Sequence, residues 1–303
     1  MWQDIPRHDV DDRLWNCCLD NSKHGQPFLQ LWYLDSCEPS WQPLVYDNYL
    51  GISAYLPIHK GPLKFAVAPL FVPQTGPAFI DDMEFENVIS DLKRFLGTKF
   101  FIFSLPLATS LIFTSYSHYK KTYILDLSQD FKFSENHKRN LHKGQKENLD
   151  ISISNSNAKD FVDFFWQSRG KNLSDYRLFH KDRLKNLTEI IMAKKTGEIW
   201  WVKSSKGDPL AGALFMWCRD IVYFIEGTTS DEGRSRRAMF ILFFEALKSF
   251  SERGYKLFDF CGSSDSGVGR FYKGFGGTET LIPLLTGGLL WPLIPRQLKN
   301  RFL

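Results

Sequence analysis

The stretch that decides the fold reads Gly254-Tyr-Lys-Leu-Phe-Asp-Phe-Cys-Gly-Ser-Ser-Asp-Ser-Gly-Val-Gly-Arg-Phe-Tyr-Lys-Gly-Phe-Gly-Gly277. Its apolar first part predicts a short strand over residues 256–260, which contains Asp259. The glycine-rich remainder, 262–277, predicts a loop with one short helix. A buried strand that carries an aspartate and is followed by such a loop is the place to look for a functional site.

The residues before this stretch predict a long helix and a meander of strands. Residues 236–253 place apolar side chains at helical spacing, with Ser235 as the expected N-cap and Gly254 as the stop. The other elements predicted for the second half are strands over 123–127, 149–154, 198–202, 210–218, 221–227 and 281–285 and helices over 134–147, 158–166 and 184–192.

The first half of the chain predicts a second mixed lobe. Its clearest element is a helix over 82–96, where apolar residues recur every three or four positions until Gly97. The other elements predicted here are a helix over 9–21 and strands over 28–34, 41–46, 51–56 and 99–105. We therefore expect an α/β protein with two lobes, 1–120 and 121–303.

Composition limits the class of protein. The chain has 303 residues, 43% of them hydrophobic and 24% charged, with a net charge of +4. These values fit a globular protein of about two domains. Five cysteines without regular spacing argue against a disulfide framework and a zinc knuckle. Without a signal-peptide pattern or a long apolar run, a cytoplasmic, metal-free protein with no transmembrane segment is expected.

From residue 149 on, the predicted order in the second lobe is strand, helix, helix, three strands, long helix, strand, helix and strand. This order is similar to that of the GNAT acyltransferase fold. The stretch from Asp259 to Gly277 also resembles the Fem-type aminoacyltransferases, the peptidoglycan cross-bridge and methicillin-resistance-factor group. That family has an aspartate-containing strand, then glycine, then F-K/Y-x-x-F-G. The basic stretch 133–150 and the strand pair 210–230 resemble the same family.

The resemblance implies two tandem GNAT-like lobes and an N-acyltransferase. It implies transfer of an aminoacyl or acyl group from aminoacyl-tRNA or acyl-CoA to an amine, for which a peptidoglycan precursor is the family's example. No tightly bound cofactor is implied. A second interpretation is a ligand-binding protein that has kept the fold and lost the chemistry, because Tyr272 stands where the family has a lysine.

Five residues are candidates for the chemistry. In Fem-type enzymes a lysine near this loop stabilises the charge that develops during acyl transfer, and Arg270, Tyr272 and Lys273 are the candidates for that role here. Alternatively, the loop is structural and Lys273 is solvated. Asp259 and Glu226, each placed towards the end of a predicted strand, are candidate bases for an amine nucleophile. The alternative for Asp259 is a cap on the following turn.

The predicted start of the long helix is the candidate donor site, with Gly233, Arg234, Ser235, Arg236 and Arg237. A helix N-terminus attracts anions such as a pyrophosphate. GNAT acetyltransferases carry R/Q-x-x-G-x-G/A here, whereas this chain has no glycine between Arg234 and Met239. The sequence therefore argues against acetyl-CoA, and the arginines could instead form a solvated first turn.

Two further stretches bear on partners. The basic run 138–146 is either a solvated helix face or a surface for an anionic carrier such as tRNA. The apolar tail 289–295 either packs in the core or makes peripheral contact with a membrane.

Overall fold

The computed structural model describes residues 1–80, 85–111, 116, 118–154, 157–173, 176–262 and 265–293. The chain forms two compact units. Unit 1 comprises Met1–Lys121 and the segment that begins at Leu281, and unit 2 comprises Thr122–Thr280. The predicted second lobe, 121–303, differs from unit 2, because the last strand of the chain hydrogen-bonds to a strand of unit 1.

The secondary structure alternates strands and helices. The strands are β1 (Trp2–Asp4), β2 (Gln42–Tyr46), β3 (Gly51–Lys60), β4 (Leu63–Val67), β5 (Ala78–Phe79), β6 (Ile102–Pro106), β7 (Tyr119–Asp126), β8 (Leu149–Ser154), β9 (Gly197–Ser204), β10 (Pro209–Cys218), β11 (Ile221–Thr229), β12 (Leu257–Asp259) and β13 (Thr278–Gly287). The α-helices are α1 (Asp12–Asn21), α2 (Leu31–Cys37), α3 (Phe85–Lys99), α4 (Glu135–Gln145), α5 (Ala158–Ser168), α6 (Leu178–Ala193), α7 (Asp231–Ser235), α8 (Ala238–Glu252) and α9 (Ser266–Gly274).

Unit 1 contains a mixed sheet in the strand order β1-β2-β3-β4-β6-β13, and β5 pairs with β3. β4 and β6 run parallel, while β3 pairs antiparallel with β2 and β4. α3 buries Val88, Leu92 and Leu96 at helical spacing, and the Trp2 indole donates a hydrogen bond to the Val88 carbonyl oxygen at 2.9 Å. The predicted start of this helix at residue 82 lies outside the described residues.

One predicted strand of unit 1 is wrong. Residues 28–34 form the end of a 3₁₀ turn, Pro27–Leu29, and the first part of α2. Leu31, Leu34 and Cys37 are buried, so the core-facing positions recur every third residue. A short apolar run of this kind fits a buried strand and a buried helix equally well, and tertiary packing decides between them.

Unit 2 contains a mixed sheet in the strand order β7-β12-β11-β10-β9-β8. α8 supplies its apolar support, because its core-facing side chains follow the helical period. The side chains of α8 that are buried are Ala238, Ile241, Leu242, Phe243, Ala246, Leu247 and Phe250. The predicted α/β fold with mixed sheets and flanking helices is confirmed.

The start of the long helix differs from the prediction. Ser235 is not its N-cap, because the Ser235 hydroxyl donates to the Glu232 carbonyl oxygen at 2.7 Å. Ser230 caps the short helix α7 by accepting the Gly233 amide at 3.0 Å. Arg237, with a left-handed φ of 62°, then separates α7 from α8. The long helix therefore begins at Ala238, two residues after its predicted start at 236, and the short helix α7 lies before it.

Candidate functional site

β11 and β12 lie side by side over a short length. Their parallel pairing ends at Tyr223 with Asp259, whereas β11 continues to Thr229. The chain leaves β12 through a turn in which Cys261 has a left-handed φ of 55°. We call the space between residues 224–229 and Cys261 the strand opening.

β11 has a β-bulge at the strand opening. Phe215 of β10 lies opposite Phe224, and Leu214 of β10 lies opposite Glu226. Ile225 is therefore an extra residue in β11. Bulges redirect neighbouring side chains and occur often beside active sites. Cys261 lies near enough to Phe224 and Glu226 for each of them to affect the pKa of its thiol. The strand opening therefore brings together a thiol and a carboxyl group.

Glu226 carries the carboxyl group of the strand opening. Its side chain is half-buried and accepts a hydrogen bond from the Tyr176 hydroxyl. Removal from water raises the pKa of Glu226, and the Tyr176 hydrogen bond and the Arg169 guanidinium oppose that rise. A carboxylate whose pKa is raised takes up a proton more readily than an exposed one. Glu226 therefore suits general-base chemistry.

α5 and the turn after it position the neighbours of Glu226. The Phe165 ring of α5 packs against Tyr176, with ring centroids 5.9 Å apart. The backbone amide of Arg169 donates to the Phe165 carbonyl oxygen at 2.9 Å and ends the helix. A side chain at Gly170 would come within 3.0 Å of the Phe165 ring. Phe165 thus contacts Tyr176 through its ring and the Arg169 backbone through its carbonyl oxygen.

Tyr272 reaches the same place from α9. Its side chain is 6% exposed, and its ring stacks on Phe260 with centroids 4.4 Å apart. Burial raises the pKa of Tyr272; the Arg169 charge opposes the rise and the Glu226 charge adds to it. No hydrogen bond joins the Tyr272 hydroxyl to another described residue. A neutral hydroxyl held in this way can donate to an oxygen of a bound group.

Arg270 and Lys273 lie on the exposed side of α9. The Arg270 Nε donates to the Ser266 carbonyl oxygen at 3.3 Å within the helix. Of the three residues proposed from this loop, Tyr272 is therefore the one that the fold brings to Glu226. The catalytic roles of Arg270 and Lys273 stay predictions.

Asp259 is 4% exposed and caps the end of β12. Its Oδ1 accepts the Thr122 hydroxyl at 2.6 Å and the Cys261 amide at 2.8 Å. Burial raises the pKa of Asp259, and these two hydrogen bonds oppose the rise. These contacts match the alternative interpretation of Asp259 as a cap and leave Glu226 as the stronger candidate for the base.

Gly233 is buried against β10. A Cβ atom there would lie 2.0 Å from the Leu210 carbonyl oxygen and 2.8 Å from the Thr229 methyl group. The glycine is therefore required for close packing of α7 on the sheet. Its amide donates to Ser230 and so is already used within the protein.

The arginines after Gly233 contact protein groups. Arg234 donates to the Thr229 carbonyl oxygen at 2.9 Å and pairs with Asp231. Arg236 pairs with Glu147 at 2.9 Å and with Glu232 at 3.0 Å. These ion pairs compete with an anionic ligand, so donor binding at this loop stays a prediction that the geometry does not favour.

Arg237, the next arginine in the chain, has hydrogen-bond partners for only part of its guanidinium. Arg237 donates from Nη1 to the Arg234 carbonyl oxygen at 2.7 Å, while its Nε is buried without a partner among the described residues.

Within the described residues no group of three or more histidine, cysteine or acidic side chains could hold a metal. No helix in the described part of the chain is long and apolar enough to cross a bilayer.

Comparison with known proteins agrees with this fold. The model of the acetyltransferase (GNAT) domain matches residues 132–274. The structure is similar to FemX, with 12% identity over 96% of this chain and 98% of that one and a TM-score of 0.65. No curated protein matches the sequence.

Two further structures are similar over nearly the whole chain. L-PGS from Bacillus licheniformis has 14% identity over 97% of this chain and 95% of its own, with a TM-score of 0.61. The C-terminal domain of a putative lysylphosphatidylglycerol synthetase from Agrobacterium fabrum has 13% identity over 92% of both chains and a TM-score of 0.58.

The class of protein follows from these similarities. The chain has the tandem GNAT fold, and residues 132–274, within its second unit, match the acetyltransferase (GNAT) domain model. The predicted resemblance to Fem-type proteins is confirmed at the level of the fold.

Proposed function

We propose that the protein is an N-acyltransferase that moves an aminoacyl or acyl group from a carrier to an amine. The observation that supports this function is the position of Glu226. Its carboxyl group lies at a β-bulge beside the strand opening, has a raised pKa and is held by Tyr176. An amine must lose a proton to attack a carbonyl carbon, and a group of this kind can take it.

The proposed transfer is direct. The amine nitrogen attacks the carbonyl carbon of the donor, Glu226 accepts the proton of the amine, and the Tyr272 hydroxyl donates to the oxyanion. The new C–N bond remains when the carrier's C–O or C–S bond breaks. The proton held by Glu226 then goes to the leaving oxygen or sulfur, so the side chain returns to its first state. Cys261 has a strongly raised pKa because it is buried, which disfavours a thiolate nucleophile.

We propose aminoacyl-tRNA as the donor, with acyl-CoA as the alternative. Two observations support this order. The arginines at Arg234 and Arg236 already pair with acidic side chains. α4 and its end present exposed basic side chains that a polyanion could contact, and these are Lys138, Arg139, His142, Lys143 and Lys146.

We expect CoA to bind weakly, with a Kd well above about 1 μM. The reason is that Gly233 donates its amide to Ser230 and Arg236 is held by two carboxylates. Calorimetric titration of CoA into the protein measures this, and Arg236→Gln should leave the result unchanged. A Kd of about 1 μM or lower that rises in Arg236→Gln would restore this loop as the donor site and make acyl-CoA the preferred donor.

We expect Tyr272→Phe to lower kcat about a hundredfold and Lys273→Ala to change it less than about threefold. The Tyr272 hydroxyl lies near enough to Glu226 for that charge to raise its pKa, whereas Lys273 is exposed. Steady-state rates with one donor and one amine compare the two variants. Because phenylalanine keeps the ring stacked on Phe260, the unfolding midpoint should not change. A larger loss in Lys273→Ala would assign the oxyanion to the lysine, as the family resemblance implies.

The acceptor and the cellular place are part of the same proposal. An amine of a cell-wall or envelope precursor, such as a peptidoglycan precursor, is the acceptor class that the Fem resemblance implies, and a cytoplasmic protein would meet it before export. The tail 289–295 is described as far as Leu293, where Leu289 and Leu293 are exposed. Peripheral contact of this tail with a membrane is a further proposal.

A binding protein without chemistry is the second candidate. It is favoured by one observation, the burial of Tyr272 in an aromatic cluster with Phe224 and Phe260. In that case the same amines should bind, but no donor should acylate them. Mass spectrometry of the amines after incubation with each donor distinguishes the two candidates.

A further inference from the structure

Arg169 is a charged group that lies near enough to Glu226 to lower its pKa and that the proposed reaction does not use. Its side chain is exposed, and among the described residues its guanidinium has neither a hydrogen bond nor an ion pair. The other arginines discussed above, Arg234, Arg236 and Arg237, all donate to protein oxygens. Arg169 is thus available to a ligand at the place where Glu226 faces the strand opening.

The backbone at Arg169 is linked to Glu226 through a chain of contacts. Its amide is bonded to the Phe165 carbonyl oxygen, the Phe165 ring contacts Tyr176, and Tyr176 is bonded to Glu226. The Tyr272 hydroxyl completes the group. It has no hydrogen bond within the described residues, and its side chain is only 6% exposed. One cation, one carboxyl group and one neutral donor therefore share a small region within unit 2.

The charges near Arg169 limit what it can bind. The guanidinium lowers the pKa of Glu226 and, more weakly than two backbone amides, that of Asp265. One arginine thus lies near two carboxyl groups. A dianionic phosphate would be repelled by those carboxylates. A compact ligand with one positive and one negative group could place its positive group near a carboxylate and its negative group near the guanidinium. A planar carboxylate also fits the fork of a single guanidinium in a bidentate way.

We propose that the acceptor of the acyl group is an α-amino acid, whose carboxylate binds Arg169 while its amine faces Glu226. This inference rests on the proposed function, because it names the substrate class of the same site. Arg169 acts here as a binding residue that selects the acceptor, and Glu226 as the base. Binding of the carboxylate also holds the amine in place. Attack of the amine on the donor carbonyl carbon is then faster, because the reacting groups are already positioned.

The test is a binding measurement that needs no donor. The twenty L-amino acids and their carboxamides are titrated into the full chain, so that each pair differs in the carboxylate alone. We expect the best amino acid to bind at least about tenfold more tightly than its carboxamide, a difference of about 1.4 kcal/mol. Arg169→Gln should reduce that ratio to within about twofold, and Arg169→Lys should keep part of it because the charge remains but the fork is lost.

Lys171→Gln is the matched control, because it removes an exposed positive charge two residues away and should keep the tenfold ratio. Three outcomes would overturn the inference. The amino acids and their carboxamides could bind equally well, or the tenfold ratio between them could remain in Arg169→Gln. Phosphoethanolamine could also bind more tightly than any amino acid. Turnover separates it from the proposed function. Acylation of plain amines that ignores Arg169 would refute the inference alone, whereas carboxylate-dependent binding without turnover with any donor would refute the proposed function alone.

Discussion

Glu226→Gln is expected to lower kcat/KM about a thousandfold. Glutamine keeps the size of the side chain and can still contact the Tyr176 hydroxyl, but it cannot accept a proton from an amine. General bases contribute about 100- to 10,000-fold to rates of this kind. The measurement is the steady-state rate of amide formation with the donor and amine that turn over in the unmodified protein. Glu189→Gln, which removes an exposed carboxylate from α6, is the control and should keep full activity.

The pH profile of the same reaction gives a second reading of Glu226. Burial raises the pKa of Glu226, and the base is active when ionised, so kcat/KM should rise with pH through a value above that of an ordinary glutamate. The acid limb should be absent in Glu226→Gln. A Glu226→Gln protein that keeps more than about a tenth of the activity, with the same acid limb, would show that another group is the base.

Gly233→Ala is expected to lower the free energy of unfolding by about 3 kcal/mol, at the upper end of the usual cost of overpacking. The added methyl group would lie 2.0 Å from the Leu210 carbonyl oxygen, which belongs to the backbone of β10 and cannot move aside like a side chain. Urea denaturation of both proteins measures the difference.

The matched control for that substitution is Gly97→Ala in α3. A Cβ atom at Gly97 meets nothing within 4 Å, so this change should be neutral or stabilise by up to about 1 kcal/mol, as alanine does in a helix. If Gly233→Ala kept full stability and instead weakened donor binding, Gly233 would be a phosphate-binding glycine, as the sequence pattern first indicated.

The fold was largely predictable because most elements have a clear period. α8 could be predicted from its continuous apolar pattern, and α9 from the glycine-rich stretch after β12. The short helix α7 was not predicted, because the Gly233 packing that holds it against β10 is a tertiary contact. Gly97 did not end α3 either, which continues to Lys99 since open space surrounds the glycine.

The site was predictable in part. Glu226 and Tyr272 were identified by their places at a strand and in the glycine-rich loop. Tyr176 and Arg169 were not, because they lie some fifty residues before Glu226 in the chain and carry no local motif. The bulge at Ile225 that turns Glu226 towards them is a property of strand pairing. Likewise, the return of β13 to unit 1 depends on its pairing with β6, which neither strand encodes alone.

The most direct test of the account is to look for the new amide bond. The protein is incubated with aminoacyl-tRNA or acyl-CoA and a panel of amines that includes the amino acids, and the products are identified by mass spectrometry. We predict an N-acylated amine that forms with the unmodified protein and is about a thousandfold slower to form with Glu226→Gln. The proposed acyl transfer would be contradicted if amines bound to the protein but no donor acylated them. The role of Glu226 would be contradicted if the amide formed equally fast without the Glu226 carboxylate.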